Sequence, residues 1–151
     1  MSRTEQVILT NLCMITDGQS ILVQDRKSEK WPGVTFPGGH IEHGESIISS
    51  IIREVKEETG LTVSNLELCG VQNWTDPKDQ YRYLVFCYKT SHFSGTIQSS
   101  DEGQVFWIDR AELKNVQLAD GFETMLEIFE QPQLTENFYW FEDGEWKMEN
   151  R

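Results

Sequence analysis

The chain is short of positive charge. Its 151 residues carry 13 Lys and Arg against 25 Asp and Glu, a net charge of −12. A protein that holds a nucleic-acid polymer by neutralising its phosphates needs the reverse balance, so that class of partner is excluded. An acidic chain that handles phosphates needs metal cations as intermediaries. Cysteine is also scarce. Cys13, Cys69 and Cys87 lie far apart in apolar, strand-like runs without a C-x-x-C pair. They predict buried free thiols in a reducing compartment and no disulfide framework. Long hydrophobic runs are missing too. The N-terminal apolar run of nine residues is interrupted by Thr10 and Asn11. That excludes a membrane span, no signal-peptide pattern is present, and a cytoplasmic protein is expected. Without repeats, linkers or low-complexity tracts, residues 1–151 are expected to form one domain, large enough to bury a core without staples.

What is present is alternation of strand and helix patterns. Residues 5–16 read as a strand buried on both faces, and "ILVQDRK" as its hairpin partner across "DGQS". "WPGVTFPGGH" is expected to be a loop. Residues 46–58 carry an apolar stripe of Ile47, Ile48, Ile51, Ile52 and Val55, with Ser46 placed as N-cap and Gly60 as the C-terminal stop. "LTVSNLELCGVQNWT" and "QYRYLVFCYKTSHF" read as two long strands joined by "DPKD". "GQVFWID" is a further strand, "AELK" a short helical turn and "GFETMLEIFEQ" a second amphipathic helix. "NFYWFE" reads as an edge strand and "DGEWKMENR" as a frayed tail. The expected class is α/β, a mixed sheet with two main helices packed on it.

The first helix crowds its acids. At about 100° per residue, Glu57 and Glu58 fall within about 60° of Glu54, so three carboxylates share the edge of the apolar stripe. Like charges at i,i+4 cost a helix about 0.2–0.5 kcal/mol per pair, and more when partly buried. A solvated acidic face tolerates that cost. A hard divalent cation, Mg²⁺ or Mn²⁺, removes it. Pro37-Gly38-Gly39 just upstream let a backbone approach an ion or a phosphate closely.

Residues 39–61 read G-x5-E-x7-R-E-U-x-E-E-x-G-U, with U aliphatic: Gly39, Glu45, Arg53, Glu54, Val55, Glu57, Glu58, Gly60 and Leu61. This resembles, without a departure, the signature of the Nudix hydrolases. The resemblance implies an α/β/α sandwich and hydrolysis of a nucleoside diphosphate linked to a group X. It implies Mg²⁺, with Mn²⁺ as substitute, on Glu54, Glu57, Glu58 and the Gly38 carbonyl. Arg53 takes the position of the orienting residue. Glu45 is a structural partner of Arg53 or of the helix start, and Gly39 and Gly60 are structural in the motif. The general base is Glu54 or an acid from a later loop, for which "SSDEGQ" offers Glu102. Glu102 also reads as part of a polar turn. His40 flanks the glycine turn as a phosphate contact or an exposed loop residue.

Specificity is expected outside the motif. "WPGVTFPGG" and "SDE…FW" resemble the MutT-like branch, which sanitises oxidised purine nucleotides. Mammalian members of that branch read the base with a tryptophan and two aspartates after the last strand. Here Asp120 matches the second aspartate, while Gln117 and Ala119 replace the other two residues. Asp120 reads either as a base contact or as a cap on the second helix. Asn11, a polar residue in an apolar strand, needs partners, either a nucleobase edge or nearby backbone. Trp31 and Phe36 offer stacking faces or core packing. Pro77 and Tyr81 lie near positions that mark ADP-ribose and dinucleoside-polyphosphate members, although "TDPKD" is a good turn by itself. A small nucleotide is thus the expected ligand. A non-catalytic nucleotide sensor is the alternative from another class, and such proteins tend to lose box carboxylates that are all present here.

Overall fold

The computed structural model describes residues 3–151. Helix α1 (Ile47–Thr59) forms on the apolar stripe. Ser46 accepts a hydrogen bond from the Ser49 N–H at its start, and Gly60 ends it at φ 81°, a left-handed conformation that glycine adopts freely. Helix α2 (Phe122–Glu130) buries Phe122, Met125, Leu126, Ile128 and Phe129.

Between the helices runs β1 (Val7–Asp17). Its residues alternate between two cores, as a period of two dictates. Leu12 and Met14 join Phe36, Val85 and the α2 residues. Cys13 and Ile15 join Leu22, Ile51, Val55 and Val105 beneath α1. The other strands are β2 (Ser20–Arg26), β3 (Gly33–Thr35), β4 (Gly38–His40), β5 (Thr62–Ser64), β6 (Glu67–Thr75), β7 (Arg82–Thr90), β8 (His92–Ser94), β9 (Gly103–Asp109), β10 (Glu136–Glu142) and β11 (Glu145–Asn150). Among the described residues, the main sheet runs β11-β10-β6-β7-β1-β2-β3, with β4 also on β1 and β9 also on β2. Pairing is parallel for β1–β7 and for β6–β10 and antiparallel elsewhere, so the sheet is mixed. A helix on each face gives the expected α/β/α sandwich. No helix among the described residues is long and apolar enough to cross a membrane.

Four local expectations are corrected. The glycine-rich loop contains two short strands, β3 and β4, because its backbone pairs with β2 and β1. The two long strands each break near one end, and the outer pieces β5 and β8 pair with each other off the main sheet. β10 is not an edge, since it lies between β6 and β11. The tail is not frayed: residues 145–150 form β11, and a left-handed Asp143-Gly144 turn (φ 53° and 78°) brings it back onto β10, the turn chemistry of a two-residue hairpin. The thiols also divide, with Cys13 and Cys87 buried and Cys69 half-buried. Phe36 is core, edge-on to Phe122 and Phe129 at 4.9 and 5.0 Å.

A polar chain ties β11 to the rest. The Gln72 amide donates to Asn137 Oδ1 at 2.9 Å. Asn137 donates to Asn150 Oδ1 at 2.7 Å. Asn150 donates in turn to the Thr124 carbonyl at 2.9 Å and to Glu127 at 2.7 Å on α2. Asn137 is fully buried, so loss of its acceptor leaves a costly unpaired donor. Asn150→Ala is therefore expected to destabilise the fold by about 1–2 kcal/mol, roughly 3–6 °C in Tm. Thermal unfolding followed by circular dichroism checks this. An unchanged Tm means that the tail contributes nothing.

Candidate active site

The glycine turn and α1 meet edge to edge. A side chain at Gly38 would place Cβ 2.0 Å from the Asn11 carbonyl oxygen, and one at Gly39 would lie 2.4–2.6 Å from the Glu54 carboxylate. At Gly38 only hydrogen leaves room for the β1 backbone, and at Gly39 a side chain would push the Glu54 carboxylate out of its place. The Gly38 N–H donates to Glu58 Oε2 at 3.0 Å, which fixes that carboxyl against the turn.

Arg53 organises the rim. Its Nε and Nη2 hold both oxygens of Glu45, at 2.8 and 2.9 Å. Nη1 reaches Glu54 at 3.0 Å and Glu57 at 3.4 Å, and Nη2 also donates to the His40 carbonyl at 3.0 Å. The planar fork suits this arrangement in a way an ammonium cannot. The Arg53 hydrogen bonds hold the Glu45 carboxyl down to about 2.

The box acids divide by environment. Glu58 is 3% exposed. Burial pushes its carboxyl up to about 8, against the Gly38 N–H, with the charges of Glu102 and Glu54 adding to the rise. Burial likewise raises Glu54, opposed by Arg53 and helped by Glu57 and Glu102. Glu57 stands at the rim, its side chain 59% exposed. Glu102 is exposed at the turn before β9, and its carbonyl accepts from Lys27 N–H. The electrostatic cluster is thus Glu54, Glu58 and Glu102, with Glu57 outermost. Among the described residues, no three acidic, His or Cys groups stand close enough to hold an ion as they lie. Arg53 draws Glu54 and Glu57 to one side, and the Gly38 N–H draws Glu58 to the other.

Asn11 does not face a ligand. It is 2% exposed; its amide donates to Ser50 Oγ at 2.9 Å, and its oxygen accepts from the Gly39 N–H at 3.4 Å. Both ends are committed to joining β1, α1 and the glycine turn, which corrects the reading of Asn11 as a base contact and agrees with its other reading, a partner of nearby backbone. The His40 side chain is exposed, and its carbonyl accepts from Arg53. Asp120 is not a helix cap: α2 begins at Gly121, φ 81°, with no side-chain cap bond. The Asp120 carboxylate is exposed, and its carbonyl accepts from the Trp31 indole at 3.3 Å.

Two features were not read from the sequence. Gln24 and Thr35, opposite each other on β2 and β3, are fully buried, and their side chains have no hydrogen-bond partner among the described residues. Gln24 alternates with Leu22 and so faces the α1 layer, the layer of Glu58. The signal was a lone amide after "ILV". The second feature is an aromatic wall near Asp120. Trp74 stacks on Tyr83 at 5.0 Å and meets Tyr139 edge-on at 6.0 Å. The Tyr139 hydroxyl lies 2.2 Å from where a Cβ on Gly121 would stand. Trp74 and Tyr83 face each other across the β6–β7 hairpin, while Tyr139 reaches them from β10, distant in sequence.

Residues 9–132 match the NUDIX domain family model. The uncharacterized Nudix hydrolase YvcI of Bacillus subtilis is 31% identical over 117 residues, covering 75% of this chain and 72% of that protein. The NAD-capped RNA hydrolase NudC of Pseudomonas aeruginosa is 34% identical over 92 residues, which are 60% of this chain but only 31% of NudC. The crystal structure of a mutator MutT protein from Bacillus halodurans superposes with a TM-score of 0.77 at 24% identity, covering 94% of this chain and 97% of that one. With the glycine turn, the arginine hub and the acidic helix in one place, and a family match across most of its length, the chain belongs to the Nudix family of pyrophosphohydrolases acting on nucleoside diphosphates linked to a group X.

Proposed function

We propose that the chain, as one domain over 1–151, splits a purine nucleoside triphosphate to a monophosphate and pyrophosphate, with oxidised guanine nucleotides as the preferred substrates. The observation that carries the chemistry is the pairing of buried Glu58 with half-buried Glu54, held against Gly38 and Gly39, an acidic site costly to keep without a cation. The donor set fits Mg²⁺ or Mn²⁺: oxygens only, from Glu54, Glu57, Glu58, Glu102 and the Gly38 carbonyl. The orphaned amide of Gln24 and hydroxyl of Thr35 in the same layer suit a site that also holds water. When bound, the cation neutralises the pyrophosphate, polarises a phosphorus and acidifies the attacking water.

The chain's residues do the rest. Glu54 or Glu102 takes the water's proton as its oxygen bonds to phosphorus and the bridging P–O bond breaks. Arg53 keeps Glu54 and Glu57 oriented while they work. For the base, the Asp120 carboxylate can accept from the two adjacent donors of a guanine edge. The Trp31 indole bonded to the Asp120 carbonyl and the nearby Trp74–Tyr83–Tyr139 wall supply aromatic surface. Similarity to NudC favours a second reading, an NAD-linked substrate cut at its pyrophosphate. A panel of oxidised and normal purine triphosphates, ADP-ribose, diadenosine polyphosphates, NAD and NAD-capped RNA, ranked by kcat/KM, separates the two.

Three outcomes are expected. Glu57→Gln keeps its circular dichroism but loses on the order of 10²–10⁴ in kcat, the scale of a catalytic group; turnover near wild type would falsify the assignment of Glu57.

The second concerns pH. The folded Glu58 carboxyl lies near 8 against an ordinary 4.5, so the native state holds that proton more tightly than the unfolded chain does. Its contribution to stability is therefore full below the ordinary value and is lost as pH rises towards 8. In metal-free protein, wild-type Tm should fall relative to Glu58→Gln over that range, and saturating Mg²⁺ should raise wild-type Tm most at the alkaline end. Parallel Tm profiles for the two proteins count against the buried-acid reading.

Third, Asp120→Ala is expected to leave Tm unchanged, since Asp120 caps nothing. It should lower kcat/KM for the guanine nucleotide about 10–100-fold, as two unpaired base donors predict. A substrate lacking those donors should be little affected. Equal losses on every substrate mean that the base is read elsewhere.

A further inference from the structure

β11 closes one end of the sheet, and no strand among the described residues covers its outer side. Its register on β10 fixes which backbone groups face outwards. Arg151 and Glu136 exchange hydrogen bonds at 2.8 Å in each direction. The antiparallel alternation then turns Glu145, Lys147 and Glu149 to β10, and points the N–H and C=O of Trp146, Met148 and Asn150 away from it. Open edges are usually blunted by proline, a bulge or charged side chains; of these β11 carries only the charges, and they alternate in sign. β11 has no proline and keeps a regular register. It exposes Trp146 and Met148, 48% and 41% accessible, on the same face as the exposed Phe141 of β10.

The charges along this edge alternate as Glu145, Lys147, Glu149 and Arg151. We propose that a second copy of the chain pairs with β11, antiparallel, across a twofold axis through Met148, so that the sheet continues from one subunit into the next. In that register every outward backbone group of Trp146, Met148 and Asn150 is bonded. Met148 pairs with its own counterpart, and Trp146 with the partner's Asn150. Between these bonds, Lys147 faces the partner's Glu149 and Glu145 faces the partner's Arg151, each pair repeated by symmetry. Shifting the axis by one residue points the bonded groups away and sets Lys147 against its own copy. Shifting it to Trp146 sets Glu149 against the partner's Asp143. Opposite charges directly across a strand pair stabilise it and like charges destabilise it, so the charge pattern favours the Met148 axis over both of these shifts. On the apolar face, Trp146 and Met148 of both copies cover one another. β10, β6 and β7 separate β11 from β1, so the dimer leaves Glu54 and Glu58 uncovered.

Sedimentation velocity over about 1 µM to 1 mM tests this. Wild type should show a concentration-dependent dimer. Lys147→Glu places like charges opposite each other twice and should weaken the dimer about 10-fold or more. Lys147→Glu combined with Glu149→Lys restores the pairing and should recover the dimer. Met148→Pro removes an outward N–H and leaves the bonds to β10 intact, so it should give monomer with unchanged far-ultraviolet circular dichroism. A wild type that stays monomeric at every concentration overturns the proposal. So does a dimer indifferent to both Lys147→Glu and Met148→Pro, or a charge swap that fails to restore what Lys147→Glu breaks.

Discussion

Everything at the site turns on the guanidinium of Arg53. One planar group satisfies Glu45 with two bonds, reaches Glu54 and Glu57, and clasps the His40 carbonyl at the end of the glycine turn. Take it away and three acids on neighbouring positions lose their common counter-charge, while the turn loses its anchor to α1. Arg53 is half-open to solvent, its side chain 25% exposed, so the pairing is screened less than at a free surface and is not paid for by full desolvation. Glu58, one turn further along, is outside its reach and finds the Gly38 N–H instead. The acidic site is therefore two half-sites held by different donors.

The motif was legible because its chemistry is local. Arg53, Glu54, Glu57 and Glu58 fall on one helix edge by periodicity, and the caps Ser46 and Gly60 mark its ends. The alternation of β1 also gave its two-sided burial, at least from Asn11 to Ile15. What stayed hidden depended on who sits opposite. Asn11 read either as a nucleobase contact or as a partner of nearby backbone, and the choice stayed hidden because its partners, Ser50 Oγ and the Gly39 N–H, belong to other elements. The tail read as frayed because "EWKMEN" is charged at alternate positions. That pattern is also what a strand with one wet face carries, and the Asp143-Gly144 turn was the overlooked clue. The Trp74–Tyr83 stack lies across the β6–β7 hairpin, but Tyr139 joins it only through the parallel β6–β10 pairing.

β1 is the common frame for both halves. It pairs in parallel with β7 along most of its length, turns antiparallel to β4 where Asn11 meets Gly39, and ends on β2. Its odd and even residues serve the two helices in turn. A single strand thus sets the height of the glycine turn above α1 and, through β7 and β6, the position of the aromatic surface near Asp120.

The two regions differ in how they are assembled. The arginine hub joins residues 40–57, close in sequence. The aromatic wall combines the β6–β7 hairpin pair Trp74–Tyr83 with Tyr139 of β10, brought in by the parallel pairing of Glu136 with Val71. Local contacts close quickly and at little entropic cost, whereas long-range parallel pairings are slow. The arginine hub is therefore a local assembly, whereas the meeting of Tyr139 with Trp74 depends on long-range topology. The wall and the hub share no residue, so a substitution that reshapes one leaves the hydrogen bonds of the other in place.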